Sequence, residues 1–297
     1  MLASAAVCMA EIHENPGSKT PLPHDKYIRV VSEKDSPVER VYIKTKDGLY
    51  VAAAMRKPIG NGPFPALIHF HGAPGGRGME QLAGWALGTT GGPMWERFLQ
   101  EGFVVVVADY RGGAFPRGQG LRKEDVTYAD DGVAVVDYVR GLPYVDKERI
   151  TVYGVSLGGD VALHTISRTK VYRCVLGAPA PINFLGAAIP PATPNADPND
   201  RFKNMTLNEE LAQRNIEPIS TPILILVGTA DSLINLDRPL HDHLAKAGKQ
   251  VRMEIFENGY HDFVMGPQGH RGRDEPLLDS TLAALELTVR FVKREGK

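Results

Sequence analysis

The sequence predicts an α/β protein with a doubly wound, mostly parallel sheet, antiparallel strands at its N-terminal side and a short lid insertion. Three observations predict it. Short, wholly apolar runs recur through the chain, as they do in strands buried on both faces. Longer stretches with helical spacing separate them. One proline-rich connection then interrupts the alternation.

Taken in order, Tyr27 to Val31, Val41 to Thr45 and Leu49 to Met55 read as early antiparallel strands, the last two joined by a turn at Lys46-Asp47-Gly48. The buried parallel candidates are Ala66 to Phe70, Phe103 to Ala108, Ile150 to Tyr153, Cys174 to Leu176 and Ile223 to Val227. Val251 to Phe256 is the expected final strand. Helices are expected at Glu96 to Gln100, at Val126 to Arg140 and at Val161 to Ser167. A last one, near Thr281 to Lys293, carries Leu282, Leu285, Val289 and Val292 on one stripe. Gly141 and Pro143 stop the second of these helices.

Between about residues 178 and 221 no strand is apparent, and Pro190, Pro191, Pro194 and Pro198 fall there, with a helical patch only at Leu207 to Arg214. A connection this long in a compact domain is usually functional, so we read it as a lid inserted into one domain of residues 27–297. Residues 1–26 are read as an N-terminal extension, of which the first ten are expected to fray.

Composition excludes several classes of function. The 297 residues are 43% hydrophobic and 23% charged, which suits a globular chain with a large core. Lys and Arg number 34 against 35 Asp and Glu, a formal charge of -1. No basic excess points to nucleic acid, and no apolar run is long enough for a membrane span. Cys8 and Cys174 fit no zinc or redox spacing and are expected to be free thiols. The first ten residues lack a basic start, so a cytoplasmic location is favoured over export through a clipped signal.

Chemistry is concentrated in a few motifs. Gly154-Val155-Ser156-Leu157-Gly158-Gly159 lies between a strand candidate and an apolar helix candidate. At such a turn the serine sits in a tight elbow that exposes its hydroxyl, and the small residues either side prevent clashes. A serine needs a base, and the base an orienting acid, here in the chain order Ser, acid, His. Asp231 follows one late strand and His261 the next, so both reach the edge of the sheet that Ser156 reaches. The plainer alternatives are that Asp231 caps the following helix and that His261 is a loop residue. His270 is the rival base, Asp237 and Asp262 the fallback acids, and His164, inside a helix, is expected to be a core residue. His241 and His243, two apart on a helix, point to different faces.

An oxyanion hole needs two donors. One is expected to be the N–H of Leu157. The other is expected from the loop His71-Gly72-Ala73-Pro74-Gly75-Gly76, at Ala73 or at Gly72. That loop lacks the Lys and Ser or Thr of a phosphate-binding loop. His69 and His71 have no evident third ligand, so neither a metal nor any other cofactor is expected.

Together, His71 to Gly75, Asp109-Tyr110-Arg111-Gly112 and Gly154 to Gly159 resemble the α/β-hydrolase superfamily. Within it, they look like the prolyl-oligopeptidase catalytic domain and its dienelactone-hydrolase-like relatives. The resemblance covers roughly residues 40–295 and implies an α/β-hydrolase fold with a Ser156, Asp231, His261 triad. Two positions depart from the pattern: Ala73 stands where a second glycine is usual, and Asp160 puts a charge beside the elbow, where it is expected to perturb His261.

Large members of that family carry an N-terminal propeller, for which this sequence shows no blade repeat. The expectation is therefore a carboxylesterase-like serine hydrolase, with a peptidase acting on short peptides as the alternative and a non-catalytic binding protein more remote. Its partner is a small ester or short peptide, bound by a monomer or homo-oligomer. Pocket candidates are Phe115, Trp85, Phe184 and Leu185, and Arg117 is a candidate for meeting an anionic substrate group.

Overall fold

A computed structural model describes residues 10–15, 31–88, 94–111, 128–190, 200, 202–261, 263–265 and 279–293. The strands are β1 (Glu11–Asn15), β2 (Glu39–Lys44), β3 (Tyr50–Arg56), β4 (Phe64–Phe70), β5 (Val104–Ala108), β6 (Val145–Ser156), β7 (Arg173–Pro179), β8 (Ile223–Gly228) and β9 (Val251–Phe256). The helices are α1 (Met79–Ala86), α2 (Met94–Gln100), α3 (Tyr128–Arg140), α4 (Leu157–Ile166), α5 (Glu209–Ile216), α6 (Ile234–Lys246) and α7 (Asp279–Lys293). Among the described residues one nine-stranded sheet forms, in the order β2-β3-β5-β4-β6-β7-β8-β9-β1. The pairs β2–β3 and β3–β5 are antiparallel and the others parallel. This is the mostly parallel sheet with antiparallel N-terminal strands that the sequence predicts.

Alternation along each central strand divides the core into two layers. Ala66, Ile68 and Phe70 of β4 pack on the side of α3, α4 and α6, while Leu67 packs on the side of α1, α2 and α7. With both faces covered, no polar alternation is needed, and all five residues of β5 are buried. Among the described residues no helix is long and apolar enough to cross a membrane.

One reading is corrected here. Glu11–Asn15, assigned to an extension outside the domain, is a strand that pairs in parallel with β9, from Glu11 opposite Arg252 to Asn15 opposite Phe256. It is held by backbone pairing at the sheet edge and has no apolar run to reveal it. Helix α1, which the apolar pattern does not mark, buries Leu82, Ala83, Trp85 and Ala86. The strand expected at Tyr27 to Val31 lies almost wholly outside the described residues, as does Cys8. Cys174 is buried and free.

The described part of the insertion is anchored to the core. Asn208 caps α5, its side chain accepting the Leu211 N–H at 3.0 Å. Ala212, Ile216 and Ile219 pack into the layer that contains α4 and α6. Ala188 and Thr206 close the loop through an isolated antiparallel bridge.

Candidate active site

Strand β6 delivers the elbow. Ser156 has φ 54° and ψ -121°, a conformation costly for a side-chain-bearing residue and held by what surrounds it. Its carbonyl accepts the Ala180 N–H at 2.9 Å. Gly158 is the position that lets α4 sit so close to β4: a Cβ there would lie 2.0 Å from the Phe70 carbonyl oxygen and 2.5 Å from that of His71.

The structure brings Ser156, His261 and Asp231 together. The Ser156 hydroxyl lies 3.0 Å from His261 Nε2, and His261 Nδ1 lies 2.8 Å from Asp231 Oδ2. With Nδ1–H donating to the carboxylate, Nε2 is left as the acceptor for the serine proton. Asp231 is buried, and its other oxygen accepts the Leu233 N–H at 3.0 Å. The loops bearing acid and base are pressed together, since the Ala230 N–H donates to the Gly259 carbonyl at 2.9 Å. A Cβ on Gly228 would fall 1.9 Å from that same oxygen.

Leu157 opens α4, where first-turn N–H groups have no acceptor within the helix and carry its positive end. Gly72 lies opposite, where an added Cβ would be 3.3 Å from Ser156 Cβ. Gly72 and Ala73 both line a cavity of about 170 Å³ that also meets Ser156 and His261.

The loop before α1 is positioned by the Asp109 carboxylate. Asp109 accepts N–H groups from Gly76 and Tyr110, both at 2.8 Å, and from Gly78 at 3.4 Å. It also meets His71 Nε2 at 3.1 Å. Burial opposes its charge, but the His71 ring and the Tyr110 and Gly76 N–H groups outweigh that and hold the carboxyl below its ordinary value. The Tyr110 hydroxyl donates to the His71 carbonyl at 2.6 Å. Arg111 is bound by Asp131 and Asp47. Asp109 and Tyr110 are thus the support of the loop across from the serine.

Among the pocket candidates, Trp85 lines the cavity. Phe184 and Leu185 do not: both are fully buried in the core layer against α4. Apolar residues at the start of the insertion serve there to anchor it, so their assignment to the pocket is corrected. Phe115 and Arg117 lie outside the described residues, as do Asp262 and His270. Among its described residues the insertion contributes none to the cavity lining.

Asp160 is fully buried in the first turn of α4. It accepts from the Tyr128 hydroxyl, and from the Phe184 N–H at 2.9 Å. Burial raises its pKa despite these donors. It ties the insertion to the elbow helix through these contacts. His164 is partly buried, not a satisfied core residue: its ring lies against Tyr128 and Phe184, its Nε2 has no hydrogen-bond partner among the described residues, and burial lowers its pKa.

The fallback acid Asp237 is fully buried on α6, and neither carboxyl oxygen has a hydrogen-bond partner. Burial, then the charge of Asp231, push its pKa well above the ordinary value. With the folded pKa above the unfolded one, the neutral carboxyl costs nothing extra below about pH 4, and the penalty grows as pH rises toward the folded pKa. Asp237→Asn is therefore expected to raise the thermal midpoint more at pH 8 than at pH 4.5. An equal or reversed pair of shifts in thermal melts would contradict this.

Several cavity-lining residues are not marked as such by the sequence. Arg77 follows the glycine-rich loop, Met265 lies in a short 3₁₀ turn after His261, and His69 is on β4. The His69 ring packs on Trp95 with centroids 4.1 Å apart, and Nδ1 lies 3.3 Å from the Tyr153 carbonyl. Burial, then the neighbouring His71, lower its pKa well below the ordinary value. Among the described residues no group of three or more His, Cys, Asp or Glu side chains could hold a metal ion.

Comparison with known proteins agrees with this arrangement at the level of family and fold. Residues 95–277, more than half of the chain, match the model of the prolyl oligopeptidase family. The chain is 27% identical over 189 residues to the inactive dipeptidyl peptidase 10 of Rattus norvegicus, an alignment covering 56% of this chain and 22% of that one. The chain thus spans about a fifth of that relative's length. Two solved structures share the fold. Dipeptidyl peptidase 4 of Porphyromonas gingivalis has a TM-score of 0.60 and 22% identity, covering 86% of this chain and 35% of its own. The esterase Est22 has a TM-score of 0.63 and 15% identity, covering 91% and 84%.

Proposed function

We propose that this chain, which belongs to the prolyl oligopeptidase family, is a serine esterase that cleaves carboxylic esters through an acyl-enzyme on Ser156. The observation that carries the reading is the continuous relay from Ser156 through His261 to buried Asp231, opening on a cavity. In this reading His261 takes the Ser156 proton as the hydroxyl attacks the ester carbonyl. The tetrahedral oxyanion is met by the N–H of Leu157 and one from Ala73 or Gly72. His261 returns the proton to the departing alcohol, and water, activated by the same imidazole, releases the acid.

The family also favours a second reading, a peptidase acting on short peptides. An aminopeptidase needs a carboxylate to meet the ammonium group of its substrate. Among the described residues lining the cavity there is no Asp or Glu, and Arg77 would repel that ammonium. The rat relative's name makes a silent binding protein a third reading, against which the intact relay weighs.

Paired turnover of 4-nitrophenyl acetate and of alanine and Gly-Pro 4-nitroanilides separates the three. Ester hydrolysis well above background, with anilide cleavage near it, is the expected result. Efficient anilide cleavage would overturn the assignment in favour of the peptidase, and no turnover of either would favour the binding protein.

A further inference from the structure

Arg77 differs from several arginines of this protein. Arg97, Arg111, Arg140, Arg149 and Arg168 each face a carboxylate within ion-pairing distance. Arg77 is half-buried, lines the cavity at Ser156 and faces no carboxylate among the described residues. One end of its guanidinium donates to the Ala73 carbonyl, and the group lies over the Trp85 ring, 5.7 Å from its centroid. Its Nε–H is buried without an acceptor. A planar guanidinium held at one edge and laid on an indole is set to offer its remaining N–H groups to a bidentate acceptor.

The other basic side chains of the cavity do not compete for that role. His71 has both ring nitrogens engaged, by the Gly72 carbonyl at 2.7 Å and by Asp109 at 3.1 Å. His69 is buried and kept neutral by that burial. His261 belongs to the relay. Arg77 is therefore the fixed positive charge that the described lining presents to a ligand, and no acidic side chain in that lining offsets it.

We propose that Arg77 forms a subsite for a carboxylate, so that the preferred substrate is a small ester with an anionic group on a short chain. The cavity of about 170 Å³ has room for a chain of a few carbons beside the reacting carbonyl. This inference rests on the esterase reading for turnover, but not for binding, and its test keeps the two apart.

The substrates are the 4-nitrophenyl monoester of adipic acid and its neutral counterpart, the 4-nitrophenyl ester of monomethyl adipate. Wild type is expected to favour the anionic ester in kcat/KM by about tenfold or more, as one charge-assisted pair allows. Arg77→Met should abolish that ratio mainly through KM, and Arg77→Lys should keep part of it. Because Arg77 also holds the Ala73 carbonyl, both esters share any loss caused by loop movement, and the ratio isolates the charge. A ratio equal in wild type and Arg77→Met overturns the subsite.

Adipate titrated into Ser156→Ala, followed by tryptophan fluorescence, gives an answer independent of catalysis. Saturable binding that Arg77→Met removes in that background supports the subsite, and no saturable binding overturns it. Absence of turnover with both esters counts against the esterase reading alone, while the titration still decides the subsite.

Discussion

Replacing Ser156 by alanine is expected to lower kcat/KM for 4-nitrophenyl acetate by about 10³-fold or more, and replacing His261 by alanine to do the same. The two residues form one device, with Oγ at 3.0 Å from Nε2, so removing either leaves the other without a task. The double variant should be no worse than the worse single one within a few-fold. Neither change opens a core cavity: Ser156 is only partly buried, and the His261 side chain is 37% exposed. Thermal midpoints should therefore stay near wild type. Two independent, multiplying losses would contradict the shared device.

Gly158→Ala is expected to damage both stability and turnover. The added Cβ would meet backbone oxygens of Phe70 and His71 at 2.0 and 2.5 Å, and no rotamer can relieve a clash with backbone. Helix α4 must move away from β4, at a cost of about 3 kcal/mol or more, at the upper end for overpacking. The same movement carries Ser156 and the Leu157 N–H away from the loop bearing Gly72 and Ala73. A displacement approaching 1 Å is expected to cost about 10²-fold in kcat. Thermal melts and steady-state kinetics on one preparation check both, and a variant with wild-type midpoint and turnover would show that the approach of helix to strand does not matter.

Much of the fold was legible because burial on both faces leaves a plain mark. Val104 to Val107 can hardly be other than a covered strand, and the positions of Asp231 and His261 at successive strand ends placed acid and base on the edge of the nucleophile. Elements stabilised by something other than apolar burial were harder to see. Strand β1 has the sequence Glu-Ile-His-Glu-Asn, and only its pairing with β9 explains it. Phe184 and Leu185 show the opposite failure, since apolar residues in a connection look the same whether they line a pocket or anchor the connection to the core.

The site was legible where motifs are contiguous and opaque where side chains converge from distant segments. Asp160 adjoins the elbow in sequence, yet the turn of α4 sends its carboxylate toward Tyr128 and the Phe184 N–H. Asp109 belongs to a recognisable segment, but its work on the Gly76 and Gly78 amides depends on β4 and β5 lying side by side. Arg77 carries no local signal. Its significance comes from lining the cavity without a carboxylate partner among the described residues.

The central claim is that Ser156 is a nucleophile activated by His261. Labelling with a fluorophosphonate, followed by peptide mass mapping, tests it most directly, because the reagent bonds covalently to an activated serine and the map locates it. We expect stoichiometric modification at Ser156 in the wild type, none in Ser156→Ala and strongly slowed modification in His261→Ala. Modification at another residue, or none in a folded wild type, would contradict the claim.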